Sequence, residues 1–266
     1  MEKSEVKDLV RQRYGSIAVE GGNSGCCTAS SSCCGSTASP QPADLSRRMG
    51  YSDAELAAVP EGANLGLGCG NPQGIADLKA GETVVDLGSG AGFDCFLAAR
   101  QVGSRGRVIG VDMTQEMLRK ARENAAKLGA GNVDFRLGEI EHLPVADNTV
   151  DAVISNCVVN LSPDKPQVFR EAYRVLRPGG RIAISDVVNL APLPGHLAAD
   201  RDLLCGCVTG AAQAAQIERW LGDAGFVGIR VEIKPESREF IKDWAPGSGI
   251  EDFVVSAMIT ARKPKS

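Results

Sequence analysis

The chain has 266 residues, 43% hydrophobic and 23% charged, with a formal net charge of −4. That length can bury a large core, in one enlarged domain or in one domain plus a smaller one, and an acidic balance without a basic run argues against a nucleic-acid substrate. No stretch of about 18 apolar residues is present to span a membrane, and no apolar run follows the charged opening Met1–Asp8 as in a signal peptide, so a cytoplasmic setting with reduced thiols is expected.

Val6, Leu9, Val10 and Tyr14 fall at helical spacing and predict a helix over 1–19. Residues 21–43, made of Gly, Ser, Ala, Thr, Pro and Cys, read as a mobile loop. Ser52 with Glu55 three residues on predicts a brief capped helix over 52–58. Asn64–Pro72 is a loop punctuated by glycines. From residue 83 strands are predicted at 83–87, 107–111, 132–137, 150–155 and 181–188, and helices at 93–101, 114–128 and 165–176. This alternation implies an α/β protein whose parallel sheet is covered on both faces.

In the tail, a cysteine-bearing segment over 196–212 precedes a helix at 213–223. Residues 227–233 and 253–261 read as two more strands, at least one antiparallel, extending the sheet beside a small cap, and Glu236–Asp243, alternating charged and apolar residues, reads as a solvated helix face. Three regions follow: an N-terminal helix and Cys/Ser/Gly-rich arm (1–50), a cofactor-binding domain (51–190) and a C-terminal cap with sheet extension (191–266).

Val85-Asp-Leu-Gly-Ser-Gly-Ala-Gly92 closes the first strand and opens a helix. Glycines admit a ligand close to the backbone, and the helix N-terminus offers free N–H groups to an anion. The loop lacks the third glycine of the dinucleotide fingerprint, since position 93 is Phe. Asp112 ends the second strand 24 residues beyond Gly88, placed to accept two ribose hydroxyls. Gly138-Glu-Ile-Glu-His-Leu-Pro144 follows the third strand, where an adenine edge would lie. Taken singly, Asp112 also suits a helix cap, and Glu139 a solvated surface charge.

This order resembles the class I S-adenosylmethionine methyltransferases over residues 80–190. The resemblance implies a Rossmann-like fold with a mostly parallel, twisted sheet and S-adenosylmethionine as cofactor. It implies contacts from Asp86, Gly88, Gly90, Asp112, Met113, Glu139 and Ile140. Asn156 reads either as a further contact or as a cap of the next turn.

The nine cysteines are Cys26, Cys27, Cys33, Cys34, Cys69, Cys95, Cys157, Cys205 and Cys207. An odd number in a reducing compartment argues against a disulfide framework. Cys95, on the first helix of the sheet, reads as core. Ligands of open α/β sheets sit outside the carboxyl ends of the strands. Cys157 follows the fourth strand at that edge, Cys69 precedes the first strand, and Cys205 and Cys207 follow the fifth. Several thiols at one rim suit a soft, thiophilic centre. Zinc is disfavoured, because there is no C-x-x-C pair and His142 and His196 follow no zinc spacing. Arsenite is neutral at pH 7, and three sulfurs in place of its hydroxyls leave a lone pair that attacks a methyl group without a general base.

Leu65-Gly-Leu-Gly-Cys-Gly-Asn-Pro72, Val111-Asp-Met-Thr114, Ser155–Lys165 and Cys207-Val-Thr-Gly-Ala211 resemble the arsenite methyltransferases, nearly end to end. That resemblance implies that Cys69, Cys157 and Cys207 bind As(III), with Cys205 the near alternative to Cys207. It implies arsenite or its thiol conjugates as substrate, giving methyl- and dimethylarsenicals, and an external reductant such as thioredoxin or glutathione. Cys26–Cys27 and Cys33–Cys34 are then possible redox or arsenite-capturing pairs, or a flexible arm without catalytic role. A monomer is expected, with no nucleic-acid or membrane partner. Two other readings stay open: a methyltransferase acting on carbon of a quinone or sterol-like acceptor, and a non-catalytic thiol sensor.

Overall fold

Short runs rich in Val and Ile form the centre of the computed structural model, which describes residues 2–20, 41–198 and 200–265. The strands are β1 (Thr83–Leu87), β2 (Arg107–Asp112), β3 (Val133–Leu137), β4 (Val150–Asn156), β5 (Leu176–Asn189), β6 (Ala212–Gln213), β7 (Val227–Lys234) and β8 (Val254–Arg262). They form one sheet in the order β3-β2-β1-β4-β5-β8-β7, with β6 pairing the end of β5. The first five run parallel, and β8 is antiparallel to both its neighbours. β1 and β4 are nearly continuous in buried apolar side chains, as strands covered on both faces must be.

The major helices are α1 (Lys3–Glu20), α2 (Phe93–Val102), α3 (Gln115–Leu128), α4 (Lys165–Val175) and α5 (Ala214–Asp223). α4 and α5 cover one sheet face through Phe169, Val175 and Leu221, which pack on Val153, Ile184 and Ile259. α2 and α3 cover the other through Phe96, Val102 and Leu118. α1 lies over α3, where Ile17 and Ala18 meet Met117 and Leu65. No helix among the described residues is long and apolar enough to cross a membrane.

The connectivity reverses beside β1: β2 and β3 lie on one side, and β4 on the other. Ligands of open α/β sheets bind in the crevice at such a switch point. Leu87 of β1 lies opposite Ser155 of β4, and Asn156 opposite Ser185 of β5. The carboxyl ends of these three strands therefore share one rim.

Two stretches differ from the sequence reading. β5 begins at Leu176, not 181, because the Pro178–Gly180 turn is carried into the ladder across a register shift after Val150. Residues 236–243, expected as a solvated helix face, form a 3-10 turn (Pro235–Ser237) and a single helical turn (Arg238–Ile241). Phe240 and Ile241 are buried there, beneath the cysteine-bearing segment of the cap. The cysteine segment itself forms two short helices, Gly195–Ala198 and Arg201–Cys205. Residues 21–40 with their two cysteine pairs lie outside the described residues.

Phe169 is 1% exposed and meets the Trp220 ring at 6.5 Å between centroids. Phe169→Ala is expected to lower the unfolding free energy by about 3–5 kcal/mol, read from urea denaturation.

Candidate active site

The glycine loop begins where β1 runs out of apolar residues. Gly88 and Ser89 donate their backbone N–H groups to the Val111 carbonyl at 2.8 and 3.0 Å, which bends the loop back over β2. Gly88 has φ +70°, and a Cβ there would sit 2.5 Å from the Val158 side chain. Asp112 braces the same loop: its Oδ2 accepts from Gly90 N at 2.9 Å and its Oδ1 from Thr114 N at 2.8 Å. Burial raises the Asp112 carboxyl above its ordinary pKa, against the pull of these donors. Asp86, Met113 and Ile140 line the same cleft. Ser89 Oγ is buried with no hydrogen-bond partner, an orphan hydroxyl of the kind a bound ligand satisfies. A glycine cradle, an orphan hydroxyl and an acidic strand end fit S-adenosylmethionine, whose amino-acid end and ribose are polar and whose adenine is flat and apolar.

Cys157, Cys205 and Cys207 line this cleft, and Cys69 lies buried beside Cys157. Cys69, Cys157 and Cys207 are 1%, 7% and 2% exposed and belong to one apolar cluster. Cys207 Sγ donates to the Cys157 carbonyl at 2.7 Å. The sulfurs of Cys69 and Cys157 and a carboxylate oxygen of Asp186 all lie within 4.8 Å of one another. Hydrogen bonding with the Cys207 and Cys69 thiols, with burial next, pushes the Cys157 thiol well above its usual pKa. Cys157 is therefore a neutral thiol at neutral pH.

Two of these cysteines are held in strained backbone. Among the described residues only Asp77, Asn148, Cys157 and Cys207 combine a side chain with positive φ. Cys157 has φ +58° just beyond β4, with its N–H on the Ser185 carbonyl at 2.8 Å. Cys207 has φ +64° at the end of the Arg201–Cys205 helix. Its N–H bonds the Leu204 carbonyl, and Val208 N–H bonds the Leu203 carbonyl, the Schellman pattern in which glycine is usual at the left-handed position. Such strain collects at functional sites, where the side chain is required despite the conformation.

Asn156 ties the third cysteine to the first two. Its Oδ1 accepts from Cys69 N at 3.0 Å, and its Nδ2 donates to the Gly70 carbonyl at 2.8 Å. The loop comes so close that a Cβ on Gly68 would lie 2.8 Å from Asn156 Nδ2, and one on Gly70 2.2 Å from Ser185 Oγ. Asn156 Nδ2 also donates to Tyr51 Oη at 3.0 Å, and Tyr51 in turn donates to Asp94 at 2.8 Å. Burial raises the Asp94 carboxyl to about 6, opposed by the Tyr51, Gln73 and Asn156 bonds.

Of the cofactor residues expected from sequence, Asp86, Gly88, Gly90, Asp112, Met113, Ile140 and Asn156 line the cleft. Glu139 does not: it turns outward to Lys7 at 2.7 Å and Arg11 at 3.6 Å on α1. Ile140 points inward in its place, with Glu141 beside it. Cys205 is buried near the three thiols, and its carbonyl accepts from Tyr14 Oη at 3.0 Å. Cys95 is core, donating its thiol to Asp86 at 3.2 Å. Tyr51, Asp94 and Lys7 went unread in the sequence, and Val10 and Tyr14 were read only for their helical spacing, though all five line or brace the cleft. Asp94 offered a signal, as an acidic residue at the first turn of the helix after the glycine loop.

Burial and the raised Cys157 pKa predict that iodoacetamide modifies Cys157 at pH 7.5 at least about tenfold more slowly than free cysteine, measured by mass spectrometry. Asn156→Ala is expected to release the Cys69 loop and speed alkylation of Cys69 by about tenfold or more in the same assay.

The likeness to known proteins agrees with this geometry. Residues 78–225 match the family described as "Methyltransferase domain". The chain is 52% identical, over 98% of its length, to an arsenite methyltransferase from Halobacterium salinarum, of which it covers 67%. It is 41% identical, over 78% of its length, to an arsenite methyltransferase from Aquipseudomonas alcaligenes, and spans 59% of that protein. Among solved structures it is similar to an arsenic(III) S-adenosylmethionine methyltransferase from Chlamydomonas reinhardtii, with a TM-score of 0.60 and 34% identity, covering 85% of this chain and 74% of that one. With this match across nearly its whole length, the chain belongs to the arsenite methyltransferase family of S-adenosylmethionine-dependent enzymes.

Proposed function

We propose that this chain methylates trivalent arsenic held by Cys69, Cys157 and Cys207. The observation that carries this reading is the clustering of three buried thiols from three separate segments, two of them, Cys157 and Cys207, lining the glycine-loop cleft. When bound, S-adenosylmethionine supplies an electrophilic methyl group on a sulfonium. Gly88 and Gly90 give its amino-acid end room, Ser89 Oγ offers a free hydroxyl, and Asp112 stands where ribose hydroxyls are accepted.

Three neutral thiols and arsenous acid exchange to a neutral trithiolate and three waters, with no net charge to bury. An apolar pocket favours that neutral product over a divalent cation, which needs ionised thiolates. The arsenic lone pair is the nucleophile, so no base has to remove a proton, and the protein's contribution is alignment. Asn156 fixes the Cys69 segment against Cys157, and the Cys207–Cys157 hydrogen bond fixes the third arm. Cys207 is the third ligand in preference to Cys205, because its sulfur bonds Cys157 from a backbone conformation held for that purpose. After transfer, arsenic is formally pentavalent. An external thiol, thioredoxin or glutathione, restores the trivalent state, with Cys26, Cys27, Cys33 and Cys34 as candidate relays.

Cys69→Ser, Cys157→Ser and Cys207→Ser are each expected to lower arsenite methylation by at least about 100-fold. Calorimetry should find S-adenosylmethionine bound to these variants within about twofold of wild type, and Cys205→Ser should keep most activity. Methylation by Cys157→Ser at the wild-type rate would overturn the assignment.

A further inference from the structure

Asp186 is a buried carboxylate beside the Cys69 and Cys157 thiols that their chemistry does not explain, and the Lys165 ammonium interacts with both Asp186 and Cys207. Asp186 lies on β5, is 2% exposed, and places a carboxylate oxygen within 4.8 Å of the sulfurs of both Cys69 and Cys157. A carboxylate there does nothing to help thiols ionise, since like charges oppose each other. It is nonetheless held firmly. Oδ1 accepts from Val187 N and Asn160 Nδ2, each at 2.8 Å, and Oδ2 from Asn160 N at 3.2 Å. These donors favour the ionised form. Lys165 attracts the carboxylate from a distance while its own ammonium donates to the Ser162 carbonyl at 3.0 Å. Burial opposes these donors and raises the Asp186 carboxyl to about 6, so at neutral pH it is a carboxylate beside a site whose resting occupant is neutral.

The charge has a use during the reaction. The arsenic lone pair forms the As–C bond while the C–S bond breaks, and its electron pair stays on the departing sulfur. No proton moves, and the positive charge passes from sulfur to arsenic. We propose that Asp186 is the counter-charge for the cation that develops on arsenic, lowering the barrier to methyl transfer without contributing to arsenite capture. This rests on the arsenite reading above. Preorganised charge placed where charge develops, in a dry site, is among the largest sources of rate acceleration. The same charge discriminates little among neutral trivalent occupants.

The test compares wild type with Asp186→Asn, a neutral near-isostere, and Asp186→Glu, which keeps a carboxylate on β5. Arsenite binding to cofactor-free protein is followed by protection of the thiols from alkylation, and transfer by single-turnover quench. Asp186→Asn is expected to bind arsenite within about threefold of wild type, with KM for arsenite unchanged, and to transfer methyl about 10- to 100-fold more slowly. Asp186→Glu is expected to transfer methyl at least about threefold faster than Asp186→Asn. Wild-type transfer by Asp186→Asn overturns the proposal. So does loss of arsenite binding in Asp186→Asn, or an equal loss of transfer in Asp186→Glu, since either makes the role structural. Failure of the functional reading is distinguishable, because wild type would then protect its thiols or not, yet never methylate arsenite.

Discussion

The contact between the Asn156 amide and the Cys69 loop organises everything at the rim of the sheet. Oδ1 takes the Cys69 N–H, Nδ2 gives to the Gly70 carbonyl, and Tyr51 fixes the amide's orientation from behind. Without side chains at Gly68 and Gly70, the loop can approach closely enough for both bonds to form. Asn156 is also the last residue of β4, so the clamp places Cys69 beside Cys157 by construction. A segment that precedes β1 in the chain thereby reaches the carboxyl ends of β4 and β5.

The thiol site is strained and low in charge, and both properties serve one purpose. Left-handed backbone at Cys157 and Cys207 is unfavourable for any residue with a side chain, by about 1 kcal/mol or more each. The surrounding ladder and the Schellman turn hold it in place. Hydrogen bonding and burial keep the Cys157 thiol protonated until a neutral thiophile exchanges a hydroxyl for it. Specificity then comes from what the pocket refuses: hard cations meet no oxygen cage, and soft divalent ones meet thiols that resist ionisation. The buried Asp186 carboxylate beside Cys69 and Cys157 is matched to a charge that arises during transfer.

Much of this was legible in the sequence, and for identifiable reasons. The alternation of short apolar runs with amphipathic helices located the parallel sheet, because strands buried on both faces carry no polar interruptions. Gly88, Gly90 and Asp112 were readable because each occupies a strand end whose chemistry is set by position. Cys157 was readable for the same reason. Glu139 was misplaced because its neighbour Ile140 takes the inward position, and only the packing of α1 shows Lys7 and Arg11 waiting outside. Tyr51 and Asp186 went unread because their roles depend on contacts between separate segments, Tyr51 with Asp94 across 43 residues and Asp186 with Asn160 across 26. The positive φ of Cys157 and Cys207 left no sequence signal beyond the absence of a glycine where a helix end favours one.

The central claim is that three sulfurs, one from each of three segments, hold the arsenic. X-ray absorption at the arsenic edge, on cofactor-free protein loaded with one equivalent of arsenite, measures this directly. The account predicts a first shell of three sulfurs and no oxygen, falling to two sulfurs in Cys69→Ser, Cys157→Ser and Cys207→Ser but not in Cys205→Ser. A shell that retains oxygen in wild type, or that keeps three sulfurs in Cys69→Ser, would contradict it.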